Sequence, residues 1–171
     1  MNDASNPNRS RSVTWEDPLP VARAAHAMSG LEFIRALADG TLAMPPVARL
    51  LDFAPTEVEE GRVVFEMRVG EHQYNPIGSV HGGVVATLLD SAMGCAVNTT
   101  LQQGVGYTTA ELKVNFIRPV TFNAGVVRCE GKIIHSGART ATAEGRVTDA
   151  AGKLYAHATT TCLIFPMPVG A

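Results

Sequence analysis

From Arg62 to Val69 apolar and polar residues alternate, with Val63, Phe65, Met67 and Val69 on one face and Val64, Glu66 and Arg68 on the other. That is the period of a half-buried strand. The period changes at Gly82. As far as about Thr100 the run VVATLLDSAMGCAV is too long for a strand and apolar on nearly every side, which predicts a helix buried in the middle of a domain. Its exceptions, Thr87, Asp90, Ser91, Gly94 and Asn98, recur three and four residues apart and form one narrow polar or small stripe.

Four more strand-like runs follow: Thr108 to Pro119, Gly125 to His135, Arg139 to Asp149 and Lys153 to Phe165. In the first, Ala110, Leu112, Val114 and Phe116 oppose Glu111, Lys113 and Asn115; in the second, Val127, Cys129 and Ile133 oppose Arg128, Glu130 and Lys132. Turn signals at Phe122 to Gly125, Ser136-Gly137 and Asp149 to Gly152 separate them. Before the sheet region, a short helix is predicted from Leu31 to Asp39, capped by Ser29 and ended by Gly40. Pro45-Pro46 opens a second short segment, Val47 to Phe53, ending near Pro55.

The chain therefore reads as α+β: an antiparallel sheet of five to six strands wrapped around one long central helix, with short N-terminal helices. One domain is expected over residues 29–171. Residues 1–28 are expected to form a disordered or loosely attached arm, because the first twenty are rich in Asn, Ser, Arg and Pro and contain neither a signal-peptide core nor a membrane anchor. A single helix leaves part of the sheet uncovered and its edges unpaired, so association through a strand edge and the open side of the helix is expected.

Composition narrows the partners. The 171 residues carry a formal net charge of −2, with a pI near 6.2, so no global basic field exists to hold nucleic acid and any anion site must be local. Cys95, Cys129 and Cys162 lie far apart in apolar surroundings without metal-type His spacing, as buried thiols of a cytoplasmic protein would. There is no Gly-x-Ser-x-Gly elbow for a serine nucleophile.

The segment hardest to explain by packing is Asn75-Pro-Ile-Gly-Ser-Val-His81-Gly82-Gly83, followed by Asp90 nine residues after the histidine. Two glycines at a helix start either make a tight turn or leave N–H groups open to a ligand, where partial positive charge would stabilise a developing oxyanion. Asp90 is a carboxylate in the middle of an apolar helix. Burying it as an ion without partners costs several kcal/mol, which favours a chemical role over a structural one at a subunit contact. His81 fits a capping residue or a substrate contact. Asn75 either closes the turn or orients an attacking water.

The stretch NPxGxVHGGxxxxLLDxAMG, Asn75 to Gly94, resembles the phenylacetate-degradation (PaaI-type) acyl-CoA thioesterases of the hotdog superfamily. GYTTAELKVNFIRPV (Gly106 to Val120), the turn with His135, Ser136, Gly137 and Arg139, and AHATTTC (Ala156 to Cys162) extend the likeness over roughly Pro45 to Phe165. The resemblance implies Asp90 as nucleophile or general base, Gly82 as the amide that polarises the thioester carbonyl, and Asn75 and His81 as helpers. It implies a water-positioning hydroxyl at Thr108 or Thr109, with alignment on Pro119 favouring Thr109. Gly83 and the turn His135 to Thr140 (His135, Ser136, Gly137, Arg139, Thr140) would contact substrate, the turn holding coenzyme A. The substrate would be an acyl- or aryl-acyl-CoA, with no cofactor, no metal, and no nucleic-acid or membrane partner. The assembly would be a homodimer, or a homotetramer as a dimer of dimers. The competing reading is a hotdog protein that binds acyl-CoA as a sensor or scaffold and would not need Asp90; a hotdog hydratase would need an Asp/His pair around a carbon-carbon double bond, which the sequence does not offer.

Overall fold

The computed structural model describes residues 8–167. Three short helices come first, α1 (Pro18–Ala27), α2 (Gly30–Ala38) and α3 (Pro46–Leu51), then strands β1 (Phe53–Glu59) and β2 (Arg62–Arg68). The long helix α4 (Gly82–Asn98) is followed by β3 (Val105–Phe116), β4 (Val126–Ser136), β5 (Thr140–Thr148) and β6 (Leu154–Pro166). The six strands make one sheet in the order β1-β2-β4-β5-β6-β3, antiparallel at every pairing.

Helix α4 lies on the concave face. Leu88, Leu89, Ala92, Met93 and Val97 are fully buried there against Val63, Met67, Val127, Cys129, Ala143 and Val147. The helix sits close because two glycines face it: Gly131 of β4 pairs with Gly145 of β5. A Cβ on Gly131 would lie 2.3 Å from the Ala92 carbonyl, and one on Gly145 would lie 2.9 Å from Met93 Cγ. The opposite side of α4, including Thr87, Asp90, Ser91 and Asn98, is only half-covered, so the expected polar stripe is open there. Gly94 leaves that stripe. It is buried, and a Cβ on it would meet the Tyr107 hydroxyl at 2.7 Å.

Two elements depart from the sequence reading. The segment expected to run helically from Val47 to Phe53 stops at Leu51, because Asp52 turns into the left-handed region (φ 56), and Phe53 begins an edge strand. Pro55 and a register shift between Pro55 and Glu57 break the alternation that would have marked β1. The expected arm also contains structure: α1 is helical, started by Asp17 accepting from the Leu19 amide, although none of its residues is buried. The first seven residues of that arm lie outside the described residues. As predicted, Ser29 starts α2, here through a reciprocal capping box with Glu32.

A bulge in β3 matters for the site. Thr109 pairs with Cys162 and Glu111 with Thr161, so Ala110 is an extra residue. Before it, Tyr107 and Thr109 share the helix-facing side with buried Cys162; after it, Leu112 and Val114 do, opposite buried Thr160 and Ala158.

Candidate active site

The bulge aims Thr109 at the helix, where its Oγ1 donates to Asp90 Oδ1 at 2.8 Å. This is the one side-chain hydrogen bond Asp90 makes among the described residues, so its second oxygen remains open on the half-covered face of α4. Thr108 is exposed on the other side of the strand. The groups nearest the carboxylate are kept neutral: burial, reinforced by the Asp90 charge, pushes the Cys95 thiol up to about 12. The Tyr107 hydroxyl is driven well above its ordinary value by burial, and Cys162 is raised by the same cause.

At the start of α4, His81 is the N-cap and its Nδ1 accepts from the Gly83 amide at 2.9 Å. That satisfies one helix-start donor, so the structure gives His81 a capping contact and occupies the Gly83 amide with it. The Gly82 amide has no acceptor among the described residues. Above it, the Phe116 ring comes so close that a Cβ on Gly82 would lie 3.2 Å from Phe116 Cζ, so a larger residue there would have to push that exposed ring aside. A cleft of about 280 Å³ opens beside this donor, lined by Ser79, Gly82, Val85, Phe116, Arg118 and Tyr155 among others.

Asn75 also lines the cleft, but its side chain closes the turn before α4: Oδ1 accepts from the Ile77 and Ser79 amides, and Nδ2 donates to Ser79 Oγ at 3.1 Å. The turn-closing alternative for Asn75 is therefore what the geometry displays, with one Nδ2 hydrogen to spare. The β4–β5 turn lies elsewhere. Gly137 N donates to Thr140 O, Ser136 Oγ meets Thr100 Oγ1 at 3.1 Å beyond the C-terminal end of α4, and His135, Arg139 and Thr140 are exposed. In the sheet Thr140 pairs with Leu163, which pairs with Thr108. At ~4.8 Å per strand the turn is about 10 Å from the strand that carries Thr109.

The structure thus joins Asp90, at the middle of α4, to Thr109 and gathers Asn75, His81, Gly82 and Gly83 at the start of the helix, with the turn near Arg139 as a third group. Two contributors were not singled out from the sequence. Tyr107 covers Gly94, and Gln73, only 2% exposed, bonds the loop before α4; neither stands out in its local pattern.

Comparison with known proteins gives the family. The family model described as "Thioesterase superfamily" matches residues 77–156, which span the cleft, α4 and the strand with Thr109. A protein of Saccharolobus solfataricus that carries an esterase name is 32% identical over 112 residues, covering 66% of this chain and 78% of its own. The chain belongs to the thioesterase superfamily. Another relative in the superfamily, acyl-coenzyme A thioesterase 13 of Homo sapiens, is 30% identical over 98 residues, or 57% of this chain and 69% of that one. Among solved structures, a phenylacetic acid degradation-related protein of Ralstonia eutropha matches with a TM-score of 0.69 and 28% identity, covering 76% of this chain and 98% of its own. As a superfamily member the chain is a thioester hydrolase of the hotdog fold. The segment matched by the family model contains α4 and strands β3 to β5, while α1 to α3, β1 and β2 lie before it and most of β6 after it.

Proposed function

We propose that this thioesterase hydrolyses an acyl- or aryl-acyl-CoA to the free acid and coenzyme A, with Asp90 as its catalytic carboxylate. The observation that carries this reading is Asp90 itself: a carboxylate on the open face of an otherwise apolar helix, oriented by Thr109 and with one oxygen unengaged. In one route Asp90 takes a proton from water as the water oxygen bonds to the thioester carbon. In the other, Asp90 attacks directly and water hydrolyses the resulting anhydride. In both, the Gly82 amide holds the oxyanion while the carbon–sulfur bond breaks, and the departing thiolate is protonated. No cofactor is called for, and among the described residues no cluster of His, Cys, Asp and Glu could hold a metal.

The site is built from two chains. Gly82 and Asp90 are eight residues apart on one helix, about 12 Å along its axis at ~1.5 Å per residue, which exceeds the roughly 3 Å over which both must act on one thioester group. Antiparallel packing of two α4 helices about a two-fold axis would bring Gly82 of one chain to Asp90 of the other. The half-covered face of α4 and the unpaired outer edge of β3 favour this dimer, which can pair again into a tetramer. Arg139, with His135, Ser136, Gly137 and Thr140, would hold the coenzyme A phosphates. We place the reaction in the cytoplasm on the strength of three cysteines without disulfides. No helix among the described residues is long and apolar enough to cross a membrane.

A non-catalytic acyl-CoA-binding protein is the alternative. Release of free thiol from a panel of acyl-CoAs, read with a thiol reagent, decides between them: binding without hydrolysis of any member would overturn the enzyme reading.

A further inference from the structure

The described part of the N-terminal arm, before α1, is held to the domain by Arg9, which pairs with Glu71 at 3.2 Å, and by a larger set of bonds at Arg11. The Arg11 guanidinium donates to Leu50 O at 3.1 Å and Arg49 O at 3.3 Å, to Asp52 Oδ1 at 2.6 Å, and to His72 Nε2. It thereby fills two of the last carbonyls of α3, groups a helix cannot satisfy by itself. The next carbonyl, Leu51 O, accepts from Gln73 Nε2 at 2.7 Å. So the end of α3 is closed jointly by Arg11 and by the short 3₁₀ turn Glu71–Gln73 that carries His72 and Gln73.

Gln73 is buried with its amide fully used. Nε2 also donates to Arg68 O at 3.1 Å, and Oε1 accepts from the Gly70 amide at 3.0 Å. Its backbone carbonyl accepts from the His81 amide at 2.8 Å. His81 is the residue immediately before Gly82. A continuous set of hydrogen bonds therefore runs from the arm, through the end of α3 and Gln73, to the peptide that precedes the oxyanion donor.

We propose that Arg11 is a positioning residue: by clamping the end of α3 and His72 it holds Gln73 in place, and through Gln73 it sets the direction of the Gly82 amide. The clamp is sensitive to protonation. Arg11 can only donate, so His72 Nε2 must accept, which requires a neutral imidazole. Protonated His72 would set a donor and a like charge against the guanidinium. The charged groups facing His72 are Arg11 and, at 3.9 Å, Asp52 Oδ2; the adjacent Glu71 pairs with Arg9, and Arg49 lies 3.9 Å from Glu16. Partial burial and then the Arg11 charge hold His72 below its ordinary value of 6.5, and Asp52 opposes them. A histidine with a depressed value binds fewer protons in the clamped state than in the open one. The clamp is therefore complete above pH 6.5 and weakens as the pH falls below it.

The role of the donor rests on the function proposed above, so the test includes readouts that need no substrate. Trp15, the only tryptophan in the chain, lies four residues beyond Arg11 on the same arm and reports its mobility. In the parent protein Trp15 fluorescence anisotropy should stay constant at neutral pH and fall on acidification. In Arg11→Ala it should be low throughout, with faster hydrogen exchange at the His81 amide. His72→Gln, which keeps an acceptor but cannot be protonated, should hold the arm down to acidic pH. On hexanoyl-CoA and benzoyl-CoA, Arg11→Ala should lower kcat roughly five- to tenfold with KM changed less than about twofold, as expected for lost transition-state alignment without lost substrate contact. Unchanged His81 exchange in Arg11→Ala, or a loosened arm with unchanged kcat, would overturn the proposal. A parent protein that hydrolyses no acyl-CoA would sink the functional reading alone, with the anisotropy and exchange still deciding whether the clamp exists.

Discussion

Thr109 reaches Asp90, nineteen positions earlier in the chain, only because Ala110 bulges out of β3. Counted from Leu112, Val114 and Phe116, strict alternation would put Thr108 on the helix side and Thr109 outside. The inserted residue exchanges them. Thr109→Val should therefore lower kcat by about tenfold or more, the order expected for losing a hydrogen bond to a charged group of ~1.5–3 kcal/mol. Thr108→Val should leave kcat within about twofold. Steady-state rates of the two variants side by side check the assignment, and the reverse ranking would refute it.

Asp90→Asn keeps the shape of the side chain and its contact with Thr109 but removes the anion. The variant should melt and assemble like the parent, and its hydrolysis should fall by ~10²-fold or more, the usual cost of losing a catalytic acid or base. Activity above about a tenth of the parent rate would exclude Asp90 from the chemistry.

Arg139 is exposed on the β4–β5 turn, and a net-acidic chain that binds a polyanion needs such a local cation. Arg139→Ala should raise KM for a full CoA thioester while leaving a truncated pantetheine thioester nearly unaffected. Equal losses on both substrates would argue that the turn does not meet the phosphates.

The two-chain site makes a quantitative prediction by mixing. Asp90→Ala and Gly82→Pro should each be inactive; proline removes the amide at the first helical position, where it is often tolerated, although the nearby Phe116 ring must give way. After co-refolding with random exchange, half the dimers are mixed and each has one intact site of two, so activity should recover to roughly a quarter of the parent value. Mixed dimers confirmed by mass that remain inactive would show that the site lies within one chain.

How much of this could be read from the sequence differs by element. The long helix and the strands β2 to β6 were legible because each is a long run of one character, bulges in β3 and β4 notwithstanding, and Arg62 to Val69 buries the very face its alternation marks. Strand β1 was not, since Pro55 and an irregular register hide its alternation behind a helix-like start. Helix α1 has no buried face, so no apolar stripe announces it. In the site, Asp90 was legible as a charge where apolar residues belong. The choice between Thr108 and Thr109 was open to periodicity and was settled toward Thr109 only by resemblance, because a bulge carries no fixed residue signature. For Asn75 and His81 the sequence left the turn-closing and capping roles open beside the chemical ones, since only the closed loop and helix start show which hydrogen bonds are made.

The facing glycines of β4 and β5 have a bearing on how mutations in this protein should be interpreted. Any side chain at Gly131 must lift α4 by about an ångström to restore ordinary contact, since the Ala92 backbone lies only 2.3 Å from the position of the missing Cβ. A lift of that size would stretch the 2.8 Å link between Asp90 and Thr109 beyond hydrogen-bonding range. Gly131→Ala should then cost about 3 kcal/mol of stability and, among molecules that still fold, a further loss of turnover that calorimetry and kinetics can separate. A screen for inactive variants would return this position beside Asp90, although Gly131 lies under the helix on the side away from its open face. The depth at which the helix is seated, set by two absent side chains, acts as a hidden calibration of the chemistry above it.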